Sequence, residues 1–164
     1  MKDNSNAVTL RYDVHREDIE NIRNIVVSTG YFDNDEIEVA VELIEEYLHK
    51  GKKSGYNFIF ADCNNETVGY SCYGLIPCTK ISYDLYWIAV SDQYQGRGIG
   101  RELLNATENL IRIDGGKQIF VETSSKEQYQ STRAFYEKCR YDKSAEITNF
   151  YDYNDNKIIY VKKI

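Results

Sequence analysis

The sequence predicts a mixed α/β (α+β) fold, one sheet with helices packed on it, and three observations lead there. The hydrophobic periodicities run in the order strand, two helices, three strands, helix, strand, helix, two strands. Strands alternate with helices only in the middle of the chain, so the sheet is expected to be mixed rather than wholly parallel or antiparallel. The 164 residues, with 42% hydrophobic and 28% charged side chains, suit a single core. One proline, no low-complexity tract and no repeat leave no place for a linker, so one domain over residues 1–164 is expected.

Taken in order, VTLRYDV alternates and begins as a strand. HREDIENIRNIVVSTG carries Ile19, Ile22 and Val26 at helical spacing, Glu17 and Asp18 in its first turn, and Gly30 to stop it. In DNDEIEVAVELIEEYLHKGKK, Ile37, Val41, Ile44 and Leu48 form an apolar face, with acids early and bases late. YNFIFADC and TVGYSCYGLIP read as a hairpin turning at Asn64 and Asn65, and ISYDLYWIAV as a third strand. Ile99, Leu103, Ala106, Leu110 and Ile113 mark a long helix ended by Gly115 and Gly116. KQIFVETS is a strand and EQYQSTRAFYEKC a helix; the tail is a hairpin turning at Asn154, Asp155 and Asn156.

Charge and composition exclude several classes. A net charge of −6 argues against nucleic-acid binding, which needs a basic face, and is compatible with a cationic or neutral partner. No stretch approaches the roughly 20 apolar residues of a membrane span. The start MKDNSNAVTLRYDV has no apolar core of a signal peptide, so a cytoplasmic protein is expected. Cys63, Cys72, Cys78 and Cys139 form no C-x-x-C pair, and with two histidines no zinc spacing appears. No metal is expected, and the cysteines read as reduced, mostly buried small hydrophobes.

The stretch QGRGIGR concentrates three of the chain's 10 glycines between a strand and a helix. A helix start leaves about four N–H groups without partners and carries roughly half a positive charge, which suits an anion. Glycines at 96, 98 and 100 clear side chains from the main chain, and Arg97 and Arg101 add cationic contacts, a pattern suited to a diphosphate. A phosphate-binding loop of the G-x-x-x-x-G-K-[ST] type is ruled out. A dinucleotide fingerprint fits at Gly96 and Gly98 but meets Arg101 in place of its third glycine; Glu122 stands near the position of its acidic partner, so this alternative stays open. A turn without chemical meaning is the plainest alternative.

Gln95-Gly96-Arg97-Gly98-Ile99-Gly100 fits [QR]-x-x-G-x-[GA], the acyl-CoA signature of the GNAT superfamily of N-acetyltransferases. LYWIAV resembles that family's fourth strand and AFYEKCRY its last helix-to-strand segment, and the order of elements over essentially the whole chain is similar. The resemblance implies a largely antiparallel, twisted seven-stranded sheet flanked by about four helices and splayed between strands 4 and 5. It implies acetyl-CoA as acyl donor. Main-chain groups of Ile88, Ala89 and Val90 would face the pantetheine, and Gln95, Gly96, Arg97, Gly98, Ile99, Gly100 and Arg101 would hold the pyrophosphate. A homodimer is compatible with the family, but no feature of the chain demonstrates one. Two departures stand out. Arg140-Tyr141 replaces a common Gly-Phe, and Tyr129 replaces a common Asn whose contact Tyr129, Ser131 or Thr132 would have to supply.

Acyl transfer from a thioester to an amine requires a neutral amine, although an alkylammonium has a pKa of roughly 10.4. It also requires donors for the charged oxygen and a proton for the departing thiolate. The resemblance gives Tyr136 the last role; a packed core tyrosine is the alternative. Asp84 matches the position of a catalytic glutamate in histone-acetylating members, and Glu122 is the second candidate base. Strand alternation puts 84, 86, 88 and 90 on one face. Asp33, Asp35, Glu36, Glu38 and Glu42 are expected either to rim the acceptor pocket and attract a cationic amine or to be an ordinary solvated face. The tyrosines at 31, 70, 73, 83 and 86 are expected either to wall that pocket or to be ordinary sheet residues. The expected activity is direct acetyl transfer to a primary amine in a ternary complex; the alternative is a non-catalytic acyl-CoA-binding sensor of the same fold.

Overall fold

The computed structural model describes residues 7–164. The elements are β1 (Val8–Arg11), α1 (Asp18–Thr29), α2 (Asn34–Lys50), β2 (Asn57–Cys63), β3 (Glu66–Leu75), β4 (Ser82–Val90), α3 (Ile99–Ile113), β5 (Gln118–Ser124), α4 (Gln130–Lys138), β6 (Asp142–Asp152) and β7 (Asp155–Lys163). The seven strands form one sheet in the order β1-β2-β3-β4-β5-β7-β6. Every neighbouring pair is antiparallel except β4 and β5. This is the mixed, largely antiparallel sheet with four helices that the sequence predicts.

Helices cover both faces. Ile22, Ile25 and Val26 of α1 and Ile37, Ala40, Val41 and Ile44 of α2 pack on Phe58, Phe60, Tyr70 and Cys72. On the other face Ile99, Leu103, Leu104 and Ile111 of α3 and Tyr136 of α4 meet Ile59, Tyr73, Leu85, Val121 and Tyr160. Tyr70, Tyr73 and Tyr83 are core residues, which resolves their reading in favour of ordinary sheet packing.

The β4–β5 junction shapes everything near it. Parallel pairing covers only Ser82↔Gln118, Tyr83↔Ile119 and Asp84↔Phe120, after which the strands part. On its other side, β4 carries a bulge: Cys72 faces Trp87 while the next residue, Tyr73, faces Leu85. Tyr86 is the extra residue, and a bulge shifts the side-chain alternation by one. Tyr83 and Leu85 therefore share the α3 face with Ile88 and Val90, whereas Tyr86 and Trp87 both turn toward α1 and α2. Asp84, between Tyr83 and Leu85, lies on the α1/α2 face. This corrects the expectation that 84, 86, 88 and 90 share a face.

Local chemistry explains most boundaries. Asn64 and Asn65, with φ of 53° and 64°, make the left-handed two-residue turn that suits a hairpin. Asp33 caps α2 by accepting from the Glu36 N–H while Glu36 accepts from the Asp33 N–H, each at 2.9 Å. The second hairpin turns at Tyr153 and Asn154, earlier than expected, so Asp155 is buried inside β7. The stripe of α3 also differs at its end: Ile113 is 78% exposed, while Thr107 and Glu108 are buried. Glu108 is tolerated there because Lys162 of β7 reaches both its oxygens, at 2.8 and 2.7 Å.

Asp18 opens α1 from a fully buried position and ties it to the sheet edge. Its carboxylate takes a two-pronged contact from Arg11, at 2.9 Å on each oxygen, and the His15 N–H at 2.8 Å. Arg11 also reaches Asp62 at 2.8 Å and lies over the Phe60 ring. Burial pushes the Asp18 pKa up, but Arg11, the His15 N–H and Asn21 outweigh it and hold the group below its ordinary value. A depressed carboxylate adds stability above its unfolded pKa, which is lost as pH falls through the folded one. Asp18→Asn is expected to cost about 2–4 kcal/mol in urea unfolding near pH 7, with the deficit shrinking below about pH 4. Arg140 adopts φ of 67°, a left-handed conformation that glycine takes without strain. Arg140→Gly is expected to be neutral or to stabilise by up to about 1 kcal/mol, measured in the same way.

Candidate active site

Where β4 and β5 separate, a cleft of about 1060 Å³ opens. That is the upper end of the roughly 300–1000 Å³ typical of small-molecule sites. Ile88, Ala89 and Val90 line it, as do Gln95, Gly96, Gly98, Ile99, Gly100 and Arg101, together with Glu122 and Tyr136. Of the predicted site residues, Arg97 and Asp84 do not line it.

The glycine stretch is held open by its backbone. Gly96 and Gly98 have φ of 74° and 86°, and Gly98 caps α3. A Cβ at either would meet nothing within 4 Å, so the space in front of both is free. Glycine is thus required here by conformation as well as by access. The Gly98 carbonyl accepts the Arg101 and Glu102 N–H groups at 3.0 and 3.1 Å. The N–H groups from Gly96 to Gly100 have no acceptor among the described residues. Gly100 sits differently: a Cβ there would make ordinary contact with Phe135 and Val90 at 3.7–3.8 Å. Two side chains of the motif are engaged within the protein. Gln95 donates to the Val90 carbonyl at 3.0 Å, joining the turn to the end of β4. Arg97 bends back to the Gln93 carbonyl at 2.9 Å and stacks over Tyr94, which leaves Arg101 as the motif's arginine on the cleft.

Tyr136 reaches the slit from the α3/α4 side. It is 4% exposed, its hydroxyl makes no hydrogen bond among the described residues, and burial pushes its pKa up, so the phenol is kept protonated. From the α1/α2 face come Asp84 and Glu122. Burial, followed by the Glu122 charge, raises Asp84 to about 6, against the pull of Lys157. Glu122 is half-exposed and bound to Lys157 at 2.6 Å. Lys157 lies beneath Phe150, its ammonium 3.7 Å from the ring centre. Sequence reading missed Lys157. It alternates correctly on its strand, but the cross-sheet register that sets it beside Glu122 is a tertiary fact. Asp155, also missed, is a buried carboxylate on the cleft, accepting from the Ser124 hydroxyl with Lys126 at 3.3 Å.

The expected acidic rim is present in part: Asp33, Asp35 and Glu36 line the cleft, whereas Glu38 and Glu42 do not. Asp33 and Glu36 are occupied in the helix cap, Glu38 pairs with Arg23 at 2.5 Å, and Glu42 lies on a separate groove. Asp35 remains on the cleft without such a partner among the described residues. Aromatic rings wall this side. Phe32 meets Trp87 edge-on at 4.8 Å, and Tyr31 and Tyr129 approach within 6.1 Å. The Tyr129 hydroxyl donates to the Tyr31 carbonyl at 3.2 Å and so braces the α1–α2 loop; Ser131 and Thr132 line the cleft. Among the described residues no cluster of metal-ligating side chains occurs, and no helix is long and apolar enough to cross a membrane.

Comparison with known proteins agrees with this geometry. Residues 54–142, over half of the chain, match the family model of the acetyltransferase (GNAT) domain. A crystal structure from Desulfovibrio desulfuricans, of a protein assigned to the GNAT acetyltransferases, is 42% identical, with a TM-score of 0.94 over 96% of this chain and 99% of that one. The Thermoplasma acidophilum PaiA N-acetyltransferase, solved in complex with coenzyme A, shares the fold at 18% identity (TM-score 0.73; 96% and 99% covered). So does the Escherichia coli ribosomal-protein-S18-alanine N-acetyltransferase, at 19% identity (TM-score 0.75; 96% and 94% covered). No curated protein sequence matches. With a parted β4–β5 junction, an open glycine turn and a family match over most of its sheet, the chain belongs to the GNAT acetyltransferases.

Proposed function

We propose that the protein transfers an acetyl group from acetyl-CoA to a primary amine directly, within a ternary complex and as one domain spanning residues 1–164. The observation that carries the reading is the run of N–H groups from Gly96 to Gly100 without acceptors among the described residues, on a turn whose Gly96 and Gly98 border open space at the mouth of a parted sheet. A diphosphate supplies the acceptors these donors lack. Arg101 adds charge to the same end, and the PaiA relative binds coenzyme A on the same fold.

Acetyl-CoA contributes an acetyl group activated as a thioester. The rest is the work of the chain. Beyond Asp84, the edge of β4 that faces β5 has no strand partner, so its main chain is free to hold an extended pantetheine and to donate to the carbonyl oxygen as charge develops there. Tyr136, protonated at neutral pH, gives a proton to the departing sulfur. The base accepts the amine's proton from the opposite face of the sheet. Asp84 suits that role better than Glu122, because its pKa of about 6 lies near working pH while Glu122 is already committed to Lys157. Since Asp84 does not line the cleft, the proton reaches it through water. The aromatic wall, with Asp35, favours a cationic amine as acceptor.

Gly98→Ala is expected to raise the calorimetric Kd for CoA by at least about tenfold. Gly115→Ala, at φ of 88° and equally open, serves as the control: it carries the same backbone cost without changing CoA affinity. Equal affinities for both variants would contradict the proposal.

Tyr136→Phe is expected to lower kcat by about a hundredfold with the KM for acetyl-CoA little changed. Asp84→Asn is expected to lower kcat/KM and to remove an acidic limb centred near pH 6. The folded pKa of Asp84 lies above its unfolded value, so its ionisation destabilises the fold as pH rises through about 6. Asp84→Asn should therefore melt higher than the parent at pH 8 while being less active. If Glu122→Gln abolishes the limb and Asp84→Asn does not, Glu122 is the base.

A further inference from the structure

Tyr136 is held by other tyrosines in an arrangement that nothing in the acetyl-CoA signature requires. Its ring is met edge-on by Tyr141 at 5.5 Å between centres and lies 6.1 Å from Tyr160. Tyr141 is buried, its N–H donates to the Tyr136 carbonyl at 3.0 Å, and its hydroxyl donates to Glu108 of α3 at 3.1 Å. Glu108 is itself fixed by Lys162, which touches both carboxylate oxygens, and the Lys162 ammonium stands 5.4 Å from the Tyr141 ring centre. Tyr160 is anchored separately through Glu137, at 2.8 Å.

The hydroxyl of Tyr141 is what sets it apart from a purely apolar ring at this place. A phenylalanine would fill the same volume but leave its ring free to shift against α3. The added hydroxyl is not an idle polar group: it reaches a buried carboxylate that Lys162 already neutralises. A buried, satisfied polar contact of this kind fixes geometry more than it adds stability.

We infer that Tyr141, tethered by its hydroxyl to Glu108, is a positioning residue that orients the Tyr136 ring for proton donation. The inference rests on the proposal that Tyr136 is the proton donor. Small displacements of a reacting group are costly: about 1 Å can reduce rate by 10²-fold. A lost tether that lets the ring drift by a fraction of that should therefore be visible in kcat.

The test is a double-mutant cycle on Tyr141→Phe and Tyr136→Phe, with acetyl-CoA and an accepted amine, under conditions where chemistry limits the rate. Tyr141→Phe is expected to lower kcat by about fivefold or more, with KM for acetyl-CoA within about twofold, and to have less than about a twofold effect when Tyr136 is already Phe. Glu108→Gln keeps an acceptor oxygen for the Tyr141 hydroxyl and is expected to retain kcat within about threefold; if Tyr141→Phe folds poorly, Glu108→Met, which removes the acceptor, is expected to lower kcat with the same dependence on Tyr136. A purely structural role would lower the melting temperature without this pattern. Independent, multiplicative effects of the two tyrosine changes, an unchanged kcat in Tyr141→Phe, or a Glu108→Gln loss larger than expected would overturn the inference while leaving Tyr136 as donor. A Tyr136→Phe variant with undiminished kcat would overturn both.

Discussion

The rest of the structure depends on three residue pairs. β4 and β5 run parallel from Ser82↔Gln118 to Asp84↔Phe120 and then separate. Parallel neighbours normally continue their hydrogen bonding to the strand ends, so parting early leaves main-chain groups in need of partners. Other contacts hold the two strands apart. β4 stays bound to β3 up to the Ser91 N–H, which donates to the Val68 carbonyl at 2.8 Å, and β5 stays bound to β7 through Ser124↔Lys157. Each strand is thus secure on its outer side and open on its inner side. α3 begins at the mouth of this opening with its first N–H groups unsatisfied, so the polar edge and the electropositive helix end face the same space.

The bulge at Tyr86 divides the chemistry between the two faces. Without it Asp84 would project to the same side as Ile88 and Val90, beneath α3. With it, Asp84 and Glu122 belong to the α1/α2 face while Tyr136 enters from the α3/α4 face. In the proposed mechanism the group that takes the amine's proton and the group that protonates the thiolate therefore approach the cleft from different faces of the sheet. Tyr136 is fully packed and kept neutral, whereas Asp84 is half-buried beside a like charge and stays able to ionise.

Much of this was legible in the sequence because it is local. Asn64-Asn65 and the apolar stripe of α2 each encode their structure within a few residues, and the glycine turn announces itself by composition. The expected turn at Asn154–Asn156 was shifted because Asp155 is taken into β7 by Ser124 and Lys126, partners that lie about thirty residues away. Glu108 has no local partner in the sequence, and it is accommodated in the core because Lys162 meets it from a distant strand. The face of Asp84 was misread for a related reason. Period-two alternation assumes an unbroken ladder, and a one-residue bulge cannot be seen without knowing the partner strand. The acidic residues at the start of α2 were readable as charge, but not which of them line the cleft and which, like Glu38 with Arg23, pair away from it.

The central claim is that unpaired main chain along β4 and at the start of α3 is the binding surface for the acyl carrier. Crystals grown with CoA or a non-reactive acetyl-CoA analogue test it most directly. The account predicts electron density for the pantetheine arm between β4 and β5, with the pyrophosphate oxygens within hydrogen-bond distance of the N–H groups from Gly96 to Gly100. Density for the carrier elsewhere, with β4 and β5 closed on each other or the glycine turn covered by side chains, would contradict it.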